Sequence, residues 1–244
     1  MANRSIPQEL AHLLRVDPAR PLITQIWADG QRAELSARTF ENNVAKAANL
    51  LQDEVEAQED TTILIALPLH WQTSVWLTAA ALTGSQACVL TDGMALPDVH
   101  FSAAFVDRSH AHITSACPVY GVSLHPLGLP EADTPGIDLA REVRAYSDVF
   151  SPYTAPQPGT SWLHLADGEL SQTQALDAAA HVAESTGLGT DGRLLIHGEM
   201  NRRSILSLAA VPLATRSSLV ICSDPDADID QIMTTERCTA VLAT

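Results

Sequence analysis

Six residues in the second half of this chain stand where their types and spacing could do chemistry: His164, Asp167, Gly168, Ser171, Thr173 and His197. Five of them fall in SWLHLADGELSQTQA, an apolar run that ends in an Asp-Gly turn and leads into a helix start. Ser171 and Thr173 open that helix, where unpaired backbone N–H groups attract anions. The plainer role for Ser171 is a capping box with Gln174, three residues on. His197 closes the strand-like run Arg193–His197, at the end of a strand where open α/β sheets bind ligands. An imidazole there can line a pocket or serve as a hydrogen-bonded structural group. His164 lies inside a strand, where an inward histidine is ordinarily a satisfied core residue. These positions make ligand-binding candidates; no catalytic residue follows from them.

Other chemistry-bearing residues say less. His110 and His112 are two apart with His100 nearby, and in a strand that spacing would put both imidazoles on one face. No third ligand has a matching spacing, so the reading is no metal site. Cys88, Cys117, Cys222 and Cys238 form no C-x-x-C pair and read as reduced core thiols. Trp71 follows His70 at a helix start and belongs to the core, although a tryptophan at such a corner can wall a pocket. No G-x-S-x-G elbow, H-E-x-x-H pair or dinucleotide glycine fingerprint occurs. Gly187-Leu188-Gly189 follows a helix rather than a strand.

The elements that must position these residues are organised around Thr61–Thr91. Thr61–Leu67 is a continuous apolar run, as a strand buried on both faces requires, and Pro68 ends it. Trp71, Val75, Thr78, Ala79 and Leu82 then share one helical face. Gly84 stops that helix and Gln86–Leu90 returns as a second strand. Such a unit implies a parallel sheet with helical crossovers. Before it come a helix over Ile6–Leu14, a hairpin over Pro21–Leu35, and a helix capped by Ser36 with Phe40, Val44, Ala47 and Leu51 inward. After it, strands are expected at Phe101–Val106 and Pro118–His125, with helical spacing over Ile137–Phe150. Later come strands at Ser161–Leu165, Arg193–His197, Ser218–Cys222 and Thr239–Leu242. Between them lie helices after Ser171, over Arg202–Val211 and over Ile229–Thr235. The fold class is therefore α/β, with mostly parallel, doubly wound sheets and flanking helices. The proline-rich segment 151–159 is the expected connection between a first lobe, 1–150, and a second, 151–244, in one compact unit.

With 14 basic and 29 acidic residues among 244, the net charge is −15. That argues against nucleic acid and anionic membrane as partners. The start of the chain has no apolar leader, and polar residues interrupt Ile63–Leu82, so a cytoplasmic protein is expected. Lys46 is the one lysine.

Three stretches carry a resemblance. DGQRAELSARTFENNVAKAANLL, from Asp29, is similar to a hairpin and "LTYxEL" helix; Thr61–Leu90 to a "VAIxLxNS" strand, helix and "GAxxVxL" strand; Asp191–Asp224 to a later strand–helix–strand. Together they resemble the N-terminal subdomains of the adenylate-forming superfamily: acyl-CoA synthetases, peptide-synthetase adenylation domains and luciferases. Short actinobacterial proteins of this kind are similar too. The resemblance implies ATP or AMP and Mg²⁺ as cofactors, although no cofactor is evident from the residues themselves. Two departures weigh against that chemistry. The family's Ser/Thr/Gly-rich phosphate loop ends in Pro-Lys-Gly, whereas ADGELSQTQA, from Ala166, has one glycine, no lysine, and the carboxylates of Asp167 and Glu169. The family's later Gly-Tyr-Gly-x-Thr-Glu and Tyr-x-Thr-Gly-Asp motifs and C-terminal domain have no counterpart in these residues. The expectation is a non-catalytic module binding a small acyl or nucleotide-like ligand or a protein partner, with a homo-oligomer open. The alternatives are an adenylate-forming enzyme working with a partner chain, or different chemistry in the old cleft around His197.

Overall fold

The structure, a computed structural model, describes residues 4–91, 94–113 and 116–244. Helix α1 (Ile6–Val16) is followed by the hairpin β1 (Pro21–Ile26) and β2 (Arg32–Ser36), then helix α2 (Ala37–Glu54). Strand β3 (Thr62–Ala66), helix α3 (Trp71–Thr83) and strand β4 (Gln86–Val89) form the central crossover. Strands β5 (Ala103–Val106), β6 (Val119–Gly121) and β7 (Ile137–Asp138) lead to the short helix α4 (Leu139–Glu142). Beyond 151–159 come β8 (Ser161–Leu165), β9 (Gly168–Ser171), α5 (Gln172–Thr186) and β10 (Arg193–His197). Helices α6 (Arg202–Ala209) and α7 (Val211–Thr215), strand β11 (Ser218–Cys222), helix α8 (Ile229–Thr235) and strand β12 (Ala240–Ala243) complete the order.

Two sheets result. One has five strands in the order β12-β10-β11-β1-β2, the other seven in the order β7-β6-β5-β3-β4-β8-β9. Pairings are parallel except in the hairpins β1–β2 and β8–β9, which place antiparallel strands at one edge of each sheet. The sheets do not divide at 151–159: each draws strands from both sides of that segment.

Local chemistry explains the elements. Strands β3, β5 and β11 are buried along nearly their whole length, which is why they read as unbroken apolar runs. Helix α3 is apolar all round because it packs against α1, α2 and α6 as well as β3 and β4. Its start is capped by the His70 ring, and it ends at Gly84 with φ +82°. Both hairpins hand over to a helix at a serine: Ser36 Oγ accepts from Thr39 N, and Ser171 Oγ from Gln174 N. The Ser171–Gln174 capping box is complete, because Gln174 Oε1 accepts in return from Ser171 N.

Two expected helices are shorter than their spacing suggests. Over Ile137–Phe150 only Leu139–Glu142 is α-helical, followed by a 3-10 turn at Val143–Ala145. The chain then extends, because the Ser147 and Val149 carbonyls accept from Asn49 of α2 and Tyr146 Oη donates to Glu54. The helix expected over Arg202–Val211 breaks at Ala210, and α7 restarts with Pro212 in its first turn, where the missing N–H costs nothing. Among the described residues no helix is long and apolar enough to cross a membrane.

Candidate functional site

In each sheet the parallel strands share one direction, so their carboxyl ends collect along one edge. A cleft of about 240 Å³ lies where the ends of β3 and β4 face the turn after β10. Leu67, Thr91, Ser109, His110, Glu199 and Ser223 contribute to its walls. The turn that carries Glu199 requires Gly198: its φ is +114°, and a Cβ there would fall 2.0 Å from the Thr244 carbonyl oxygen. Thr244 fixes this turn further, its Oγ1 donating to the Glu199 carbonyl at 2.7 Å and its N to the His197 carbonyl at 2.9 Å.

The opposite wall is a 3-10 turn, Arg108–His110, capped by Asp107 at the end of β5. Asp107 is 5% exposed and accepts from Ser109 Oγ at 2.8 Å and His110 Nδ1 at 2.5 Å. This orients the imidazole through its Nδ1. The arrangement is not a hydrolytic triad, since Ser109 sits on the Nδ1 side with the carboxylate instead of on Nε2. It can hold and orient a polar ligand. Behind it His70, 2% exposed, is pushed down to about 3 by burial, against the opposing pull of the Leu124 carbonyl and the Asp107 charge. His70 is therefore neutral, with Trp27 and Trp71 as ring neighbours at 5.8 and 5.6 Å.

The six sequence candidates are distributed differently, and none of them lines this cleft. His164, on β8, faces Glu169 across the hairpin, Nδ1 to Oε1 at 3.5 Å. Asp167 occupies the two-residue turn between β8 and β9, and Gly168, with φ +133°, follows it. Arg202, the first residue of α6, donates to Asp167 at 2.7 Å. The structure thus brings the Asp167 turn next to the helix that follows His197. Ser171 is the helix cap, and Thr173 Oγ1 donates to the Arg4 and Pro158 carbonyls. His197, at the end of β10 and next to the edge strand β12 of the five-stranded sheet, has a buried Nδ1 without a partner among the described residues. His110 and His112 lie on and after a 3-10 turn instead of a strand, their rings 6.2 Å apart. Among the described residues no three His, Cys, Asp or Glu side chains converge as metal ligands. Cys88, Cys222 and Cys238 are free thiols, and burial pushes the Cys88 thiol up to about 11, which leaves it inert at neutral pH.

Sequence reasoning missed Asp107, Ser109 and Glu199. The one signal for the first two was the Asp-x-Ser-His order after an apolar strand, which is a helix-cap pattern. Nothing near Glu199 in the sequence announces that it faces residues some ninety positions earlier.

No family model matches the chain. The TIGR03089 family protein of Mycobacterium tuberculosis (strain ATCC 25618 / H37Rv) is 35% identical over 240 residues, covering 94% of each sequence. Among solved structures, the Brucella canis acyl-CoA synthetase superposes over 98% of this chain with a TM-score of 0.77 at 14% identity. Apo MatB from Rhodopseudomonas palustris superposes over 98% with a TM-score of 0.71 at 17% identity. The chain spans 47% and 49% of those two structures' lengths. The α/β architecture expected from the three resembling stretches is thus the acyl-CoA synthetase architecture.

Proposed function

The chain belongs to the TIGR03089 family, and from that premise we propose that it is a non-catalytic ligand-binding module of acyl-CoA synthetase architecture. One observation carries the reading. The position of the phosphate loop is a β-hairpin, Leu165 paired with Gly168, whose turn consists of Ala166 and Asp167 alone. A polyphosphate needs several converging backbone N–H groups and a cation. A two-residue turn offers neither; Asp167 and Glu169 add negative charge, and the nearby Arg202 is committed to Asp167. ATP and Mg²⁺ do not fit these residues.

The ligand in this reading is a small acyl or nucleotide-like molecule in the cleft at the strand ends. Its polar atoms would meet Ser109, His110 and Glu199, and its apolar part Leu67 and Leu90. The unpartnered Nδ1 of His197 supports a second reading, different chemistry beside that cleft. The test of the first is carboxylate-dependent pyrophosphate exchange across fatty, aromatic and amino acids, for which background rates are expected.

A further inference from the structure

The polar side chains of the cleft at the strand ends are mostly acceptors. Ser109 Oγ–H is spent on Asp107 at 2.8 Å and Ser223 Oγ–H on the Ile26 carbonyl at 3.3 Å, so each hydroxyl has an acceptor oxygen left to offer. Glu199 can only accept. Its exposed carboxylate makes no hydrogen bond or ion pair among the described residues, while its backbone is held at N and O by Thr244. An unpartnered charge therefore stands on a fixed turn in the cleft wall.

The surrounding charge has the same sense. No Lys or Arg among the described residues lines the cleft. The arginines nearest its lining in sequence are turned to other partners. Arg108 donates to Asp133 at 3.0 Å and to the Ala132 carbonyl at 2.9 Å, and Arg202 donates to Asp167 at 2.7 Å. Behind the wall Asp107, its side chain 7% exposed, holds Ser109 and His110 in place. The carboxylates of Asp107 and Glu199 outnumber the one imidazole that could offset them, so the cleft is negative whichever state His110 takes. A carboxylate or phosphate there would meet like charge and few donors. Leu67, Leu90 and Met200 add apolar lining suited to a short hydrocarbon chain.

We infer that this cleft selects an acyl primary amide over the free acid, with Glu199 as the specificity-determining residue. The amide nitrogen donates to the Glu199 carboxylate and to a serine hydroxyl, and the acyl chain packs on Leu67, Leu90 and Met200. The inference rests on the reading that the cleft is the ligand site; it adds that the ligand brings the donors and carries no negative charge.

The probes are hexanamide and hexanoate, titrated into the full chain labelled with ¹³C at its methionine methyl groups. Met200, one of four methionines, reports on the cleft and is assigned with Met200→Leu. Hexanamide should move the Met200 signal saturably, and hexanoate should bind at least tenfold more weakly. In Glu199→Gln, a change at an exposed and unpaired side chain, hexanoate should gain until the two affinities lie within threefold. Hexanoate binding the parent as tightly as hexanamide, or a preference left unchanged in Glu199→Gln, overturns the inference while leaving the cleft as a ligand site. A Met200 signal that neither compound moves overturns the cleft as the site of a small acyl ligand, and the inference with it.

Discussion

Arg202 Nη1 donates to Asp167 Oδ1 at 2.7 Å, tying the first turn of α6 to the tip of the β8–β9 hairpin. The two side chains are 39% and 59% exposed, so solvent screens the pair. Asp167→Asn should lower the melting temperature by no more than about 2 °C, in line with well under ~1 kcal/mol for an exposed ion pair. Thermal unfolding of the variant beside the parent checks this. A large drop would make the turn a structural keystone instead of a free surface.

A stronger electrostatic anchor lies at the far edge of the five-stranded sheet. Glu236, its side chain 9% exposed, accepts from Arg32 Nε at 2.7 Å and from Arg193 Nη2 at 2.9 Å. The Arg32 hydrogen bond, followed by that from Arg193, holds its carboxyl below the ordinary range against the opposing effect of burial. Because the folded-state pKa lies below the unfolded one, the stabilisation is present above the unfolded value of about 4.3 and is lost as pH falls through the folded value. Glu236→Gln should cost about 1–3 kcal/mol at pH 7. In denaturant titrations the gap to the parent should close as pH drops below about 4.

His70 gives stability a second pH dependence, in a different window. Its folded-state value of about 3 lies below the ordinary 6.5, so below pH 6.5 the unfolded chain takes up a proton that the folded chain refuses. Stability therefore falls as pH drops from 6.5 towards 3. Between pH 6.5 and 5 the loss should be on the order of 1–2 kcal/mol. His70→Gln should flatten that slope in a pH series of unfolding measurements, whatever it does to absolute stability. An unchanged slope would mean that His70 can charge in place.

The sequence made part of this legible and hid the rest for physical reasons. The β3-α3-β4 crossover was plain because burial on both faces demands unbroken apolar residues, and Pro68 and Gly84 mark its corners. Strand β9 was missed because it is an edge strand whose Gly168 and Glu169 are exposed, with no alternation to betray it. Leu139, Val143 and Tyr146 keep helical spacing up to Phe150, yet the helix stops early because Tyr146 Oη and the Ser147 carbonyl bond to α2 instead. At the site, the Ser171 cap could be read locally, since its partner is three residues away. The cleft could not, because Ser109 and His110 meet Glu199 only through the packing of the two sheets.

The segment 151–159 crosses the surface without regular structure, and Tyr153 is 82% exposed. Each sheet takes strands from both sides of it, so neither side alone carries a complete sheet. Limited chymotrypsin digestion should cut at Tyr153 and leave two fragments that co-elute and unfold together. Two fragments that separate and each unfold cooperatively would contradict the single unit.

In the proposed reading, the hairpin turn at Ala166-Asp167 stands where a phosphate-binding loop would be. Adenylation needs cations where charge develops on the transferring phosphoryl group, and this turn supplies the carboxylate of Asp167, with Glu169 on the adjoining strand. The most direct measurement is exchange of labelled pyrophosphate into ATP with Mg²⁺ present, across fatty, aromatic and amino acids. Rates indistinguishable from a no-carboxylate control are predicted for the parent chain and for Asp167→Ala alike. Exchange well above that control, abolished by Asp167→Ala, would instead show that Asp167 holds Mg²⁺ for a working adenylating site.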